Sequence, residues 1–278
     1  MNAWSEQPPR TRTGLSFVPY WKFMTYAFAR SLSYRVNILM GILGNIVNLV
    51  IQISIWHTLL GSRSVTNTTI GTMITYSILS TCITALQLNN VGYAVEERLR
   101  SGDIAIDLLK PLSYPLSIAA DGLGTMAFQS LFTFLPTFVI AVAVFGLEPP
   151  VSALSLLGAA VAALLALVIS FGFGYLFALL GFRYLTAHHF NFPFSVMMGV
   201  FGGQFLPLWF FPSWLSAINH WLPFQYMYFV PVAIYLGRIS RQDLGGTVAI
   251  GGVWAVALLL LTRWLWTRAM RRLVIQGG

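Results

Sequence analysis

Hydrophobic positions run through this chain in long unbroken stretches, and the charged positions gather at the joints between them. No charged residue occurs at 36–62, 64–95, 122–147, 149–182, 184–237 or 244–262. Each stretch can hold the roughly 20 apolar residues that a helix needs to cross a bilayer. The pattern predicts spans at 37–60, 70–94, 116–146, 153–181, 189–211 and 245–266. A transmembrane β-barrel would show short alternating segments instead. The expected fold is an all-α polytopic membrane protein with six transmembrane helices.

Two stretches depart from plain spanning helices. At 17–35, Tyr20, Phe23, Met24, Ala27, Phe28 and Leu32 share one helical side, while Lys22, Thr25, Arg30 and Ser33 lie towards the other. Aromatic residues opposite bases are the mark of an interfacial amphipathic helix; the alternative is the frayed beginning of the first span. The stretch 212–237 is long and apolar enough to cross, but Pro212, Pro223 and Pro231 interrupt it. Proline removes a backbone donor and crowds the preceding turn. Two short helical pieces are expected, each too short for ~30 Å of hydrocarbon.

Charge then orients the chain. If 212–237 does not cross, Arg10, Arg12, Lys22, Arg30, Arg35, Arg98, Arg100, Lys110, Arg183, Arg268, Arg271 and Arg272 fall inside, and Arg63, Arg238 and Arg241 outside. Cytoplasmic loops carry the basic excess, so 212–237 is read as an external re-entrant hairpin before the last span. The layout becomes a cytoplasmic tail (1–16), an interfacial helix (17–35), a six-span domain (36–267) with a cytoplasmic loop at 95–114, and a cytoplasmic tail (268–278). The polar start has no h-region behind it, so no cleaved signal peptide is expected.

Composition agrees. Charged residues are 9% of the chain and hydrophobic ones 57%, against about 25% charged in soluble domains. The net charge of +8 forms no continuous soluble patch, which argues against nucleic acid and for anionic lipid headgroups as partners. Cys82 is the sole cysteine, so there is no disulfide framework. His188 and His189 are adjacent, and their side chains diverge by about 100° on a helix, a poor pair for one metal. Neither a metal site nor a catalytic residue is expected. The spans carry polar faces at Gly41, Asn45, Asn48 and Gln52, and at Ser77, Ser80, Thr84 and Gln87, which should point to helix partners or a cavity. Gly199 and Gly203 read as a small pair for close helix approach.

The densest chemistry lies in "EERLRSGDIAIDLLKP", residues 96–111. Glu96, Arg100, Asp103, Asp107 and Lys110 recur at the spacing of one helical face. Ser101-Gly102 should break that helix and Pro111 stop it. Ile104, Ile106, Leu108 and Leu109 offer apolar contact. A docking element needs both charge and apolar surface; a solvated connector between spans would look similar. No G-x-x-x-x-G-K-[ST] occurs, and Lys22 and Lys110, the only lysines, follow no glycine-rich loop. Energy for any transport must therefore come from another chain.

Taken in order, an interfacial helix, six spans, "EERLRSGDIAIDLLKP" between the second and third, and a proline-broken hairpin before the sixth resemble the type-2 family of ABC exporter permeases. The resemblance runs from about Phe17 to the end, where Gln276-Gly277-Gly278 is similar to a branch often encoded as paired permeases. It implies that Glu96, Glu97, Arg98 and Arg100 seat on a separate ATPase, which holds ATP and Mg. Gly102 would be the turn, with Asp103, Asp107 and Lys110 in the docking helix. It implies a dimer with an identical or related permease, alternating access, outward movement of a hydrophobic or lipid-like substrate, and a bacterial inner-membrane location. Gln87, Met198 and Gln204 would line the path, and Trp214, Asn219, His220, Trp221 and Phe224 would form an external gate. The competing reading is an ion-coupled secondary transporter or channel. Such carriers keep an ionisable residue at mid-membrane, whereas Asp121 and Arg263 fall near span ends. An intramembrane enzyme lacks a convergent acid-base group.

Overall fold

The computed structural model describes residues 18–33, 35–61, 68–87, 91–110, 112–184 and 188–276. The helices are α1 (Val18–Ser31), α2 (Arg35–Leu60), α3 (Ile70–Leu86), α4 (Val91–Ser101), α5 (Asp103–Leu109) and α6 (Tyr114–Gln129). They continue with α7 (Leu135–Phe145), α8 (Ala153–Tyr184), α9 (His188–Phe201), α10 (Ser213–His220), α11 (Phe229–Tyr235) and α12 (Arg241–Gln276). The architecture is all-helical and that of a polytopic membrane protein. Among the described residues, four helices are long and apolar enough to cross: Val36–Leu60, Tyr114–Phe145, Ala153–Leu179 and Arg241–Ala269.

The third of the expected spans is continuous but not regular. α6 and α7 join through a π-helical turn at Ser130–Phe134. Pro136 supplies no N–H for the carbonyl four residues earlier, and a widened turn is how a helix absorbs such a gap. α8 and α12, with 32 and 36 residues, rise about 48 and 54 Å, so both outrun the hydrocarbon.

Two expected spans are shorter than the apolar run that announced them. α3 has 17 residues, about 25 Å of rise, and ends where Gln87 turns extended. The expected helix at 70–94 is therefore two helices, α3 and α4. α9 has 14 residues and stops at Phe201. Beyond it the Gly202 N–H bonds the Met198 carbonyl, and Gly203 takes φ +82°, a left-handed conformation open to glycine at little cost. Gly203 therefore belongs to a chain reversal, and it does not pair with Gly199 along a helix.

α1 follows its expected periodicity but not its expected neighbour. Ala27 is buried, and Tyr20, Phe23, Met24 and Phe28 are half-buried, because this face lies against α6. Val18, Trp21 and Tyr26 point outward with Lys22, and Leu32 is exposed past the helix end.

The largest apolar core gathers α3, α8 and α12 around α11, with Met227, Val230, Val232 and Ile234 at its centre. A second cluster joins Val91, Val95 and Ile104 to Tyr114, Ile118 and Tyr175. The proline-broken stretch thus splits as its prolines demand. Pro212 caps α10, Pro223 opens a 3-10 turn at Pro223–Tyr226, and Pro231 sits in the first turn of α11.

Candidate functional site

The charged loop folds as two short helices set at an angle by one glycine. Gly102 has φ +81° and ψ −3°, and a side chain in that left-handed region would cost about 1–2 kcal/mol. The five charges expected on one helical face are consequently divided between α4 and α5. Asp103 sits in the first turn of α5, where the positive helix end favours a carboxylate. Its Oδ2 accepts from Ser101 Oγ at 2.8 Å.

The loop's charges bind the loop itself. Arg98 Nη1 lies 2.7 Å from Asp107 Oδ2, closing α4 onto α5. Lys110 Nζ meets the other oxygen, Oδ1, at 2.6 Å. Burial alone would raise the Asp107 carboxyl, but the Lys110 hydrogen bond and the Arg98 charge outweigh it and hold the group below its ordinary value. A second carboxylate continues the chain of charges. Asp121, buried on α6, has Oδ1 4.0 Å from Arg98 Nη2 and Oδ2 3.0 Å from Arg30 Nη2 of α1. The sequence marks Asp121 only as the last charge before a long apolar run; its pairing with a helix 91 residues away has no local signal.

What remains for a partner is the outer surface of the loop. Glu97, Asp103 and Lys110 are exposed. Ile106 and Leu109 are 62% and 85% exposed, whereas Ile104 is buried in the cluster beneath. The side chains of Glu96, Arg100 and Leu108 lie outside the described residues.

The three expected path residues fall beside the α3–α4 break. Gln87 is buried, and its Nε2 donates to the Met227 carbonyl at 3.0 Å. It lines a cavity of about 250 Å³ with Glu97, Asp121, Arg30 and Gln129. Met198 and Gln204 line a second cavity, of about 230 Å³, walled by Phe173, Phe177, Phe194 and Tyr228. Val91 faces the first cavity and Gly92 the second, so the start of α4 separates a polar space from an aromatic one.

The expected gate residues do not share one surface. Trp214 and Trp221 are 64% and 78% exposed, and His220 is exposed beside Trp221. Asn219, expected in the external gate, is 1% exposed; its Nδ2 donates to the Phe201 carbonyl at 2.9 Å. Phe224 points inward and stacks on Phe173 at 5.3 Å. The reason is hydrogen bonding: α9 ends inside the protein, and its last carbonyls need donors. Asn219 provides one, and Gln225 does the same for the His220 carbonyl. Within the stretch Met227 is fully buried, and its carbonyl accepts from Gln87. Sequence reading missed Met227 because an apolar residue among apolar residues carries no signal of depth.

Among known families, the one described as ABC-2 family transporter protein matches residues 46–277. Comparison with curated proteins finds no match.

Proposed function

This chain belongs to the ABC-2 transporter family, the membrane permease component of ABC transporters, and from that premise we propose that it exports a hydrophobic or lipid-like substrate. Family membership implies a separate ABC ATPase as partner. In our reading that ATPase seats on α4 and α5, carries ATP and Mg, and drives alternating access. A second permease, identical or related, completes the pathway within the bacterial inner membrane, amid lipids that α1 meets with Trp21, Tyr26 and Lys22.

The observation that carries the reading is the side-chain allocation in the loop. Arg98 and Asp107 are committed inward, so α4 and α5 hold one shape before any partner arrives. Ile106 and Leu109 are left outward on that fixed frame, each able to contribute about 1.5–3 kcal/mol on burial. Asp103, exposed on the same short helix, can set register. Exposed isoleucine and leucine on a braced scaffold favour docking over a plain connector between spans.

The six-crossing topology follows the same logic. α3 completes its passage with the first turn of α4, and α9 with the residues around the Gly203 reversal. The stretch from α10 to α11 enters and leaves by the external side, with Met227 at its innermost point. Gln87 and Met227 then form the resting closure of the path, between the polar and aromatic cavities, and Trp214 and Trp221 border its external mouth.

Purification of the chain from its native membrane should bring down a P-loop ATPase in stoichiometric amount. Leu109→Asp should abolish that association while leaving the permease monodisperse. Recovery of the chain with no ATPase, or unchanged association by Leu109→Asp, would remove the docking reading. For topology, in a Cys82→Ser background, cysteine at Ser240 should react with an impermeant thiol reagent from outside and cysteine at Ser101 should not; the opposite pattern inverts the orientation.

A further inference from the structure

We propose that Asp121 is a positioning residue that makes α1 a moving part of the docking assembly, so that ATPase motion at α5 reaches α1 and the start of α6 through one carboxylate. The inference rests on the docking reading above. Its basis is a continuous alternation of charge across four separate elements: Asp107 on α5, Arg98 on α4, Asp121 on α6 and Arg30 on α1. Asp121 is the only member of this chain that faces cations from two elements other than its own among the described residues. Its two oxygens are divided between them.

The geometry on either side of Asp121 explains why the link transmits. One turn along α6, Gly124 lies under α1: a Cβ there would stand 2.1 Å from the Met24 carbonyl oxygen. The two backbones are therefore in direct contact, and close-packed helices shift together more readily than past one another. At its other end α1 touches the loop's exit. The Ser113 N–H donates to the Tyr20 hydroxyl at 3.1 Å, and Lys110 Nζ lies 5.8 Å from the centre of the Phe23 ring. α1 thus brackets the loop from its exit to Asp121. Apolar contact alone would hold α1 on α6. Half-buried ion pairs add little net stability once desolvation is counted, but they specify register. A register device at the junction of a docking loop and an outer helix is what a mechanical link requires.

The test needs no transported substrate. The permease is purified with its ATPase in a Cys82→Ser background, with Tyr26→Cys on the exposed side of α1 as reporter. The probe is the reaction of that thiol with a maleimide, before and after ATP with vanadate traps the ATPase. We expect trapping to change the reaction rate by about fivefold or more. Asp121→Asn should abolish the change while ATPase association and hydrolysis persist, and Asp121→Glu should retain it. Arg30→Gln, on the periphery and less able to unfold the protein, should also abolish it. The double variant should be no worse than either single one, because both act through one contact. A response that survives Asp121→Asn and Arg30→Gln, or is absent in the parent complex, overturns the proposal. Loss of the ATPase from the parent complex would instead overturn the docking reading itself.

Discussion

The charged loop and the proline-broken stretch are each built from two short helices, and they solve the problem of holding such pieces in place by opposite means. α4 and α5 are fixed by charge: Arg98 and Lys110 converge on Asp107, and two apolar side chains of α5 are turned out. α11 is fixed by burial: Val230, Val232, Ala233 and Ile234 vanish into the main core, and the polar residues nearby serve stray backbone carbonyls. The Lys110 pair lies near water and is cheap to shift, since exposed pairs contribute only about 0–1 kcal/mol. A close-packed core is not. The first region suits a braced element that a partner can move as one piece, and the second suits the core around which movement occurs. The exception is α10, whose tryptophans remain exposed at the margin of the buried arm.

The contrast can be broken most forcefully at the core. Met227→Ala should destabilise by about 2–5 kcal/mol, as cavity-forming truncations do, and lower the melting temperature in detergent. Leu109→Ala, on the charge-held loop, should stay within about 0.5 kcal/mol in the same measurement. Equal effects would mean that the loop is as much core as α11.

Next come the joints of the loop. Arg98→Met leaves Asp107 Oδ2 without its cation and should cost about 1–3 kcal/mol, read as faster limited proteolysis between α4 and α5. Gly102→Ala forces a side chain into the left-handed region and should cost about 1–2 kcal/mol by the same assay. Lys110→Met should cost less than either, because Lys110 is more exposed than Arg98.

A subtler comparison lies inside the proline-broken stretch. In the Cys82→Ser background, Trp221→Cys should react readily with a maleimide in detergent, and Asn219→Cys should react only after unfolding. Similar reactivity would show that α10 is not held by the Asn219 contact with α9. If the path opens at this margin, reversible crosslinking of cysteine 221 to its mate in a dimer is the informative crosslink, since position 219 is sealed.

The smallest effect concerns pH. The Asp107 carboxyl titrates below its ordinary value, so the stability it contributes is fully present above the usual carboxylate range. It is lost as pH falls through the lowered folded value. Proteolysis of the loop should therefore be flat across neutral pH and rise only in acid; a rise near neutrality would point to another group.

Much of this organisation was legible in the residues alone. Long uncharged runs identify membrane helices because the bilayer tolerates few charges and requires internally satisfied backbone. Ser101-Gly102 and Pro212, Pro223 and Pro231 mark breaks because their constraints are local. The 3.6-residue repeat of Tyr20, Phe23, Met24, Ala27 and Phe28 marks one apolar helix face, read from the residues as facing the bilayer interface. The order of these features also placed the chain in its family.

Tertiary structure decided what each feature meets. Nothing local tells Phe23 and Ala27 that their neighbour is α6, or tells Arg30 that its carboxylate lies on the third span. Asn219 is a natural donor for backbone at a bend, but that it is buried and serves Phe201 on a different helix is decided by the packing. Hydropathy reports only that a residue avoids water. It cannot distinguish lipid from protein as the alternative, so the depth of Met227 and the early end of α3 at Gln87 appear only when the helices are brought together.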